Sequence, residues 1–516
     1  MSIFTQVAMR KVKSSLIDLS HDVKFSFNMG ELIPTCIIDV LPGDKFELGQ
    51  SNLIRMAPML APLMHKVNVT MHYWFVPNRL LWPNWETFIT GDTDNVPPFL
   101  LDNHLIQQGN LGDYLGVPVD VGTGNMQCSA FPLAAYYKIW DDCYRDQNLQ
   151  TEVGIELTDG RNNGLEALMR QDPRKRAWMH DYFTSALPWA QKGDAVSLPL
   201  TNSQDVDVDI RPGNTNPAKL RKASDQTDAA AGANLQTSNP GSFLNDGTDN
   251  LQLDPQGSLK VDINAEAVDI NTLREAFSLQ RWLERNARGG TRYIESMLAH
   301  FGVRSSDKRL QRPELIGGHF SPMTISEVLS TAETLNTSNQ VTNPVGEFSG
   351  HGISVGRGNK YTYRAEEHGW IMGIINVQPK TAYQQGLPRM YDRRDRLDYF
   401  WPDFQDLGEQ AILNQEIWAG NLADSTNRET FGYIPRYAEY KYMPDRVAGE
   451  MRTNLDFWTL ARKFSSLPAL NEAFIQCEPS RRIFATTDPN VDTLYAHVKN
   501  DVKAIRKMKK HAKPMW

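Results

Sequence analysis

From Val67 to Phe75 the chain alternates: Val67, Val69, Met71, Tyr73 and Phe75 take every second position, with Asn68, Thr70, His72 and Trp74 between them. A period of two puts one set of side chains on the core face of a β-strand, and Pro77 ends the pattern. Apolar runs punctuated by Pro and Gly predict further strands at Leu32 to Val40, Lys45 to Leu48, Trp370 to Val377 and Arg482 to Thr486. Helical spacing occurs in three places. The first opens at Pro132 and repeats at Leu133, Tyr137, Trp140 and Tyr144; the second has Leu273, Ala276, Phe277, Leu283 and Ala287 and stops at Gly289-Gly290. The third runs through Ile294, Met297, Leu298 and Phe301 to Gly302. No βαβ rhythm appears, so the pattern allows a mainly β fold with helices lodged in long connections.

Two features stand apart from this rhythm. Trp74 is followed by Trp82 and Trp85 in a segment with turn punctuation. Such rings need burial by an insertion, a neighbouring domain or another subunit, and all three are expected at a subunit interface. Thr201 to Lys260 holds eight aspartates and a single aromatic, Phe243, too little apolar surface for a core of its own. It is expected to lie outside, as a surface insertion that includes Asp205, Phe243 and Asp254.

The same segments carry a resemblance. Met56 to Gly91 (MAPMLAPLMHKVNVTMHYWFVPNRLLWPNWETFITG) is similar to the major capsid proteins of the microviruses, small icosahedral single-stranded DNA bacteriophages, and to their gokushovirus-like branch in particular. So are LIDLSHDVKFSFNMGELIP (Leu16 to Pro34), HDYFTSALPWAQKG (His180 to Gly193) and ERNARGGTRYIE (Glu284 to Glu295). FGVRSSDKRLQRPELIGG (Phe301 to Gly318) and EEHGWIMGIINVQPKTAYQQGLPR (Glu366 to Arg389) extend the likeness over most of the chain. It implies an eight-stranded antiparallel viral jelly roll with long, partly helical interstrand insertions, one domain over residues 1–516. It also implies self-assembly into a shell around packaged single-stranded DNA, and surface protrusions from the insertion at 201–260 that meet a host-cell receptor. Scaffolding and DNA pilot proteins are further partners the resemblance implies; no cofactor is expected.

Composition narrows the picture further. A net charge of −7 argues against a surface that is basic all over, yet the segment 494–516 is locally basic. Lys503, Arg506, Lys507, Lys509, Lys510 and Lys513 lie there, with Tyr495 and Trp516 as candidate stacking rings, and they are the expected contacts to single-stranded DNA. Leu494, Val498, Val502, Ile505 and Met508 fit a helical stripe, whereas Leu494, Ala496, Val498, Val502 and Ala504 fit a strand; either leaves the cations outward. Arg10, Lys11 and Lys13 form a weaker basic cluster. No apolar run is long enough for a signal peptide or a membrane span, so synthesis in the host cytoplasm is expected. Cys36, Cys128, Cys143 and Cys477 lack metal-site spacing and read as reduced thiols.

The competing class is a hydrolase or carbohydrate-binding module on a β-sandwich. Gly352-Ile-Ser354-Val-Gly356 matches a nucleophile elbow with His351 beside it, but an elbow needs a strand before the serine and a helix after it. The residues before it read as loop and Lys360 to Arg364 as a strand. His180, Asp181 and Ser185 fit a turn or cap better than a triad, and the consecutive Glu366, Glu367 and His368 point to alternate faces. No catalytic or metal-binding residue is therefore assigned.

Overall fold

The computed structural model describes residues 13–91, 94–102, 106–119, 126–194, 196, 220–222, 236–237, 244–245, 251–253, 270–331, 334–335, 341–343, 346, 348–420, 423–486 and 488–511. Two compact units divide the chain, one of residues 1–192 with 284–516 and one of residues 193–283. The expected insertion falls within the second unit, and Asp205, Phe243 and Asp254 lie outside the described residues.

Eleven strands build two antiparallel sheets in the larger unit. They are β1 (Ser15–Asp18), β2 (His21–Phe27), β3 (Ile33–Val40), β4 (Lys45–Met56), β5 (Val67–Pro77) and β6 (Glu314–Pro322). Then follow β7 (Thr324–Leu329), β8 (Phe348–Arg357), β9 (Tyr361–Arg364), β10 (Gly369–Pro379) and β11 (Leu494–Arg506). One sheet has the order β1-β11-β4-β8-β7, with β2 also on β11 and β9 also on β4; the other has the order β6-β5-β10-β3. From β2 to β11 the chain crosses between sheets at six of nine steps, staying in one sheet from β5 to β6 and from β7 through β8 to β9. This is the winding of a jelly roll. The sheets hold seven and four strands, so the expected count of eight is not reproduced. The edge strand is broken at Leu19-Ser20 into β1 and β2, the partner of β4 is broken into β8 and β9, and β7 extends the sheet beyond β8.

Apolar residues from both inner faces fill the sandwich. Phe27, Ile33, Ile54, Val69, Ile375 and Val498 pack at one end, and Val40, Phe46, Leu48, Met71, Phe75 and Val502 at the other. Asn500 sits fully buried near the junction of these clusters, accepting from the Tyr73 hydroxyl at 3.2 Å and donating to the Thr35 carbonyl at 2.7 Å. Its amide thus satisfies the polar demand that a buried side chain creates.

The four-stranded sheet is covered on its outer face as well. Residues 78–178 lay α1 (Phe131–Ile139), continued as a π-turn over Trp140–Tyr144, against Trp74, Val76, Met372 and Ile374. Two further helices, α2 (Ile270–Arg288) and α3 (Tyr293–Phe301), match the second and third helical periodicities. The strand expected at Arg482 to Thr486 is instead a turn: Ile483 and Phe484 are buried plugs of the sandwich core, held by an isolated bridge from Phe484 to Met59. Their apolar character comes from burial without strand pairing. Among the described residues no helix is long and apolar enough to cross a membrane.

Candidate nucleic-acid interface

The C-terminal segment resolves as strand β11, flanked by β1 and β2 on one side and β4 on the other. Leu494, Ala496, Val498, Asn500, Val502 and Ala504 point into the sandwich, so Tyr495, His497, Lys499, Asp501, Lys503 and Ile505 point out. Register carries the outward face across the sheet: Arg55 stands opposite Tyr495, Lys24 opposite His497, Lys45 opposite Ile505, and Lys499 and Arg357 both opposite Ser51. Lys24, Lys45, Arg55, Arg357 and Lys499 are exposed and form no ion pair among the described residues. Their outward positions follow from alternation, which the seven-residue run His21–Phe27 shows in its partly buried Val23 and Phe25 and its buried Phe27. Sequence reasoning missed Lys24, Lys45, Arg55 and Arg357 because they are scattered along the chain and only strand pairing gathers them.

Acidic residues on the face are few and largely engaged. Lys360 reaches Glu47 at 3.2 Å and Asp501 at 3.4 Å, and the bond to Glu47, with those two carboxylates close by, raises its pKa. Asp18, opposite Lys503, is held below the usual carboxylate range chiefly by hydrogen bonds from Ser20, with smaller help from Lys503 and Lys499. His497 lies 3.3 Å from Asp22. Tyr495, about half exposed, offers a ring between Arg55 and Ser26. Unpaired cations around an accessible aromatic ring are what a single-strand groove uses to follow phosphates and stack bases.

The expected basic cluster does not stay together. Lys503 is on the sheet face, and Lys507, Lys509 and Lys510 are exposed just past the strand end. Lys513 lies outside the described residues, as do Trp516, Arg10 and Lys11. Arg506 is corrected: its guanidinium turns inward, forms an ion pair with buried Asp44 at 3.2 Å, donates to the Asp39 carbonyl and lies 5.7 Å from the Phe46 ring. Its charge is used within the subunit.

Along this chain, residues 5–516 match the family described as capsid protein (F protein). The chain belongs to that capsid protein family. It is 36% identical to capsid protein VP1 of Bdellovibrio phage phiMH2K over 533 residues, covering 99% of this chain and 97% of the relative. Capsid protein VP1 of Chlamydia phage 1 is 33% identical, with 94% of this chain and 93% of the relative covered. Capsid protein VP1 of Spiroplasma virus 4 is 29% identical, with coverage of 90% and 88%. The role of the chain is structural, as a component of the virion.

For this capsid protein, two of the three tryptophans expected at a subunit interface, Trp74 and Trp82, are already buried within a single chain. Trp82 is 0% exposed within a single chain; its indole donates to Asp159 at 2.8 Å and its ring packs on Phe88 and Phe131. Trp74 is buried and donates to the Tyr144 hydroxyl at 3.1 Å, and half-buried Trp85 packs on Phe131 and His368. Residues of the stretch 78–178 cover Trp74 and Trp82, so the apolarity of these two requires no neighbouring subunit, whereas Trp85 stays partly exposed. The Tyr144 hydroxyl also lies 2.9 Å from His72 Nδ1, and burial lowers the His72 pKa to about 4.

The catalytic alternative centred on Ser354 also gives way. Ser354 is buried within strand β8, its hydroxyl 3.2 Å from that of Ser321 and donating to the Pro322 carbonyl at 3.1 Å. No sharp turn and no following helix expose it, so the elbow geometry is absent there. Asp181 organises a turn, accepting from the amides of Phe183 and Thr184 and from the Tyr383 hydroxyl. Glu367 pairs with Arg79, Glu366 with Lys308, and His368 meets the Trp85 ring edge to face. Among the described residues no cluster of potential metal ligands occurs. The four cysteines are free thiols, and burial pushes Cys36, Cys143 and Cys477 up to about 12.

Proposed function

We propose that this subunit builds an icosahedral shell around single-stranded DNA and turns the bare face of its seven-stranded sheet towards the genome. The observation that carries the reading is the asymmetry of the sandwich. One sheet is roofed by the insertion 78–178, whereas the other leaves a face of unpaired cations with Lys507, Lys509 and Lys510 at its rim. A protein of net charge −7 can neutralise phosphates only by segregating its cations in this way.

If about six of these cations contact phosphate, subunit binding to single strands falls with salt at a log–log slope near −4, at roughly −0.7 per contact. The triple variant Lys24→Glu, Arg55→Glu, Arg357→Glu is expected to flatten the slope by about 2 and to give particles depleted of DNA. Full DNA content per particle with an unchanged slope would overturn the orientation. No chemical step is part of this function.

Host attachment through the insertion at 201–260 belongs to the same reading, supported by its polar composition and the family resemblance; scaffolding and DNA pilot proteins are partners on the same ground. Replacing residues 205–255 by a short Gly/Ser linker is expected to leave shells intact, because loop closure changes by only about 0.6 kcal/mol per doubling of length, and to reduce adsorption to host cells. Normal adsorption by such particles would remove the insertion from the host contact.

A further inference from the structure

Trp74 and Trp82, which sequence reasoning assigned to an interface, are dry within the monomer, and other rings are wet. Between Leu387 and Leu407 the chain reads LPRMYDRRDRLDYFWPDFQDL, with four arginines, five aspartates and five aromatics but no lysine and no glutamate. Tyr399, Phe400 and Trp401 are each about half exposed, Tyr391 is 62% exposed, and Met443 beside them is 72% exposed. The surface is nonetheless well ordered by its own contacts. Phe400 packs edge-on against Tyr437 at 4.9 Å and reaches Tyr440 at 6.1 Å, and the Trp401 amide donates to the Tyr437 hydroxyl at 3.3 Å. The Arg393 guanidinium lies between the rings of Tyr399 and Tyr440, 4.9 and 4.7 Å from their centres.

A cavity of about 300 Å³ opens at the edge of this surface, between Met390, Tyr391, Tyr442 and Met443. Tyr182 and Phe183 also line it, and at its side Glu416 accepts from the Tyr182 hydroxyl at 2.9 Å and pairs with Arg389 at 3.2 Å. Glu416 is thus already matched, as is Asp445 by Lys380 at 2.7 Å; apart from the exposed Arg446 at its rim, the free walls are mainly aromatic, proline and methionine, which suit an apolar side chain.

We propose that the surface of Tyr391, Tyr399, Phe400, Trp401, Tyr440 and Met443 is a contact between copies of this chain, with the cavity receiving an apolar side chain of the neighbouring copy. Three considerations select that occupant, and the proposal rests on the capsid role. First, aromatic residues, Met and Arg are enriched at protein interfaces and Lys, Glu and Asp depleted; Leu387 to Leu407 is rich in aromatics and Arg and free of Lys and Glu, and departs from that pattern in its five aspartates. Second, with Leu397 and Leu407 added, eight side chains of roughly 200 Å² that are about half exposed present on the order of 800 Å², the share of one partner in a stable interface. Third, the charges are matched locally: Asp392 binds both Arg394 and Arg428, and Asp398 accepts from the amides of Arg394 and Asp395. That balance gives little attraction for a polyanion, which separates this surface from the DNA face.

The decisive measurement is hydroxyl-radical footprinting of the unmodified protein, as free subunits and as assembled particles. Met443, Tyr391 and Trp401 are expected to be oxidised in the subunit and strongly protected in the particle. A second arm uses Tyr391→Asp and Met443→Asp, both at exposed positions. Each should keep the melting temperature of the subunit and raise the critical concentration for assembly about 30-fold, the loss expected of an interface anchor. Equal oxidation in both states, or assembly by the variants at the wild-type concentration, overturns the proposal. Variants that assemble normally but bind single strands less tightly would assign the surface to DNA instead. Failure of the unmodified chain to form shells with its phage partners would count against the capsid reading itself, an outcome distinct from these.

Discussion

Replacing Arg506 by methionine separates the two roles that a basic C-terminus can have. Asp44 is fully buried; one carboxylate oxygen lies 3.2 Å from Arg506 Nε and accepts from the Leu41 amide at 3.1 Å, and the other has no partner. Removing the arginine leaves that carboxylate uncompensated, a loss that ranges from about 3 to 5 kcal/mol for fully buried pairs. Because the Arg506 side chain keeps 16% of its surface wet, the lower end applies, roughly 3 kcal/mol. Urea unfolding of the subunit should show a lowered midpoint with unchanged slope, while the salt dependence of single-strand binding stays as in the wild type. Adding Asp44→Asn should return part of the lost stability, since paired residues couple by about 0.5–3 kcal/mol. An unchanged midpoint together with a flattened salt dependence would refute the assignment and return Arg506 to the DNA face.

Trp82→Ala should cost the isolated subunit about 3–5 kcal/mol, read by denaturation before any assembly, because the ring is covered by its own chain. Ser354→Ala should cost about 1 kcal/mol, the worth of one hydrogen bond, and leave particle yield unchanged; an esterase activity that vanishes with it would reverse that view. Burial raises the Glu31 pKa to about 7, with Asp492 adding to the shift, so the folded state binds the extra proton and stability declines as pH rises from about 4.5 to 7. Burial has the opposite consequence for His72, whose depressed pKa makes stability decline as pH falls from about 6.5 to 4. Glu31→Gln should therefore leave a subunit whose stability rises with pH over that range, and His72→Phe one whose stability falls; denaturation at pH 5 and 7 distinguishes them.

Strand β5 was legible because its alternation is complete, and β3 and β10 because they are apolar on both faces and flanked by turn residues. Strand β8 was not, and the reason lies in its inverted pattern. Gly350, Gly352, Ser354 and Gly356 face inward, where a Cβ on Gly350 would stand 2.4 Å from the Ala61 carbonyl and one on Gly352 2.3 Å from the Met56 sulfur. Apolar Ile353 and Val355 face outward, so small residues mark the core side and the run imitates a catalytic motif. In β11 the inward Asn500 interrupted the apolar alternation and left helix and strand equally plausible; only its partners Tyr73 and Thr35, hundreds of residues away, explain it. The tryptophans declared that they would be buried, but a one-dimensional pattern does not name what buries them. Lys24, Arg55 and Arg357 were hidden for a related reason, since a surface assembled by strand pairing has no contiguous trace in the chain.

Strand β11 lies inside the seven-stranded sheet, with β1 and β2 on one side and β4, made more than four hundred residues earlier, on the other. At roughly 5–20 residues per second of translation, the chain between Met56 and Leu494 takes about 20–90 s to appear, and throughout that time β4 lacks its β11 partner. Until β11 is made, a nascent subunit therefore carries an open strand edge that can pair wrongly. The same arrangement acts as a completeness check. A chain interrupted before β11 lacks both the strand that joins β1 and β2 to β4 and the outward lysines it carries, so such a product cannot complete this face of the sheet.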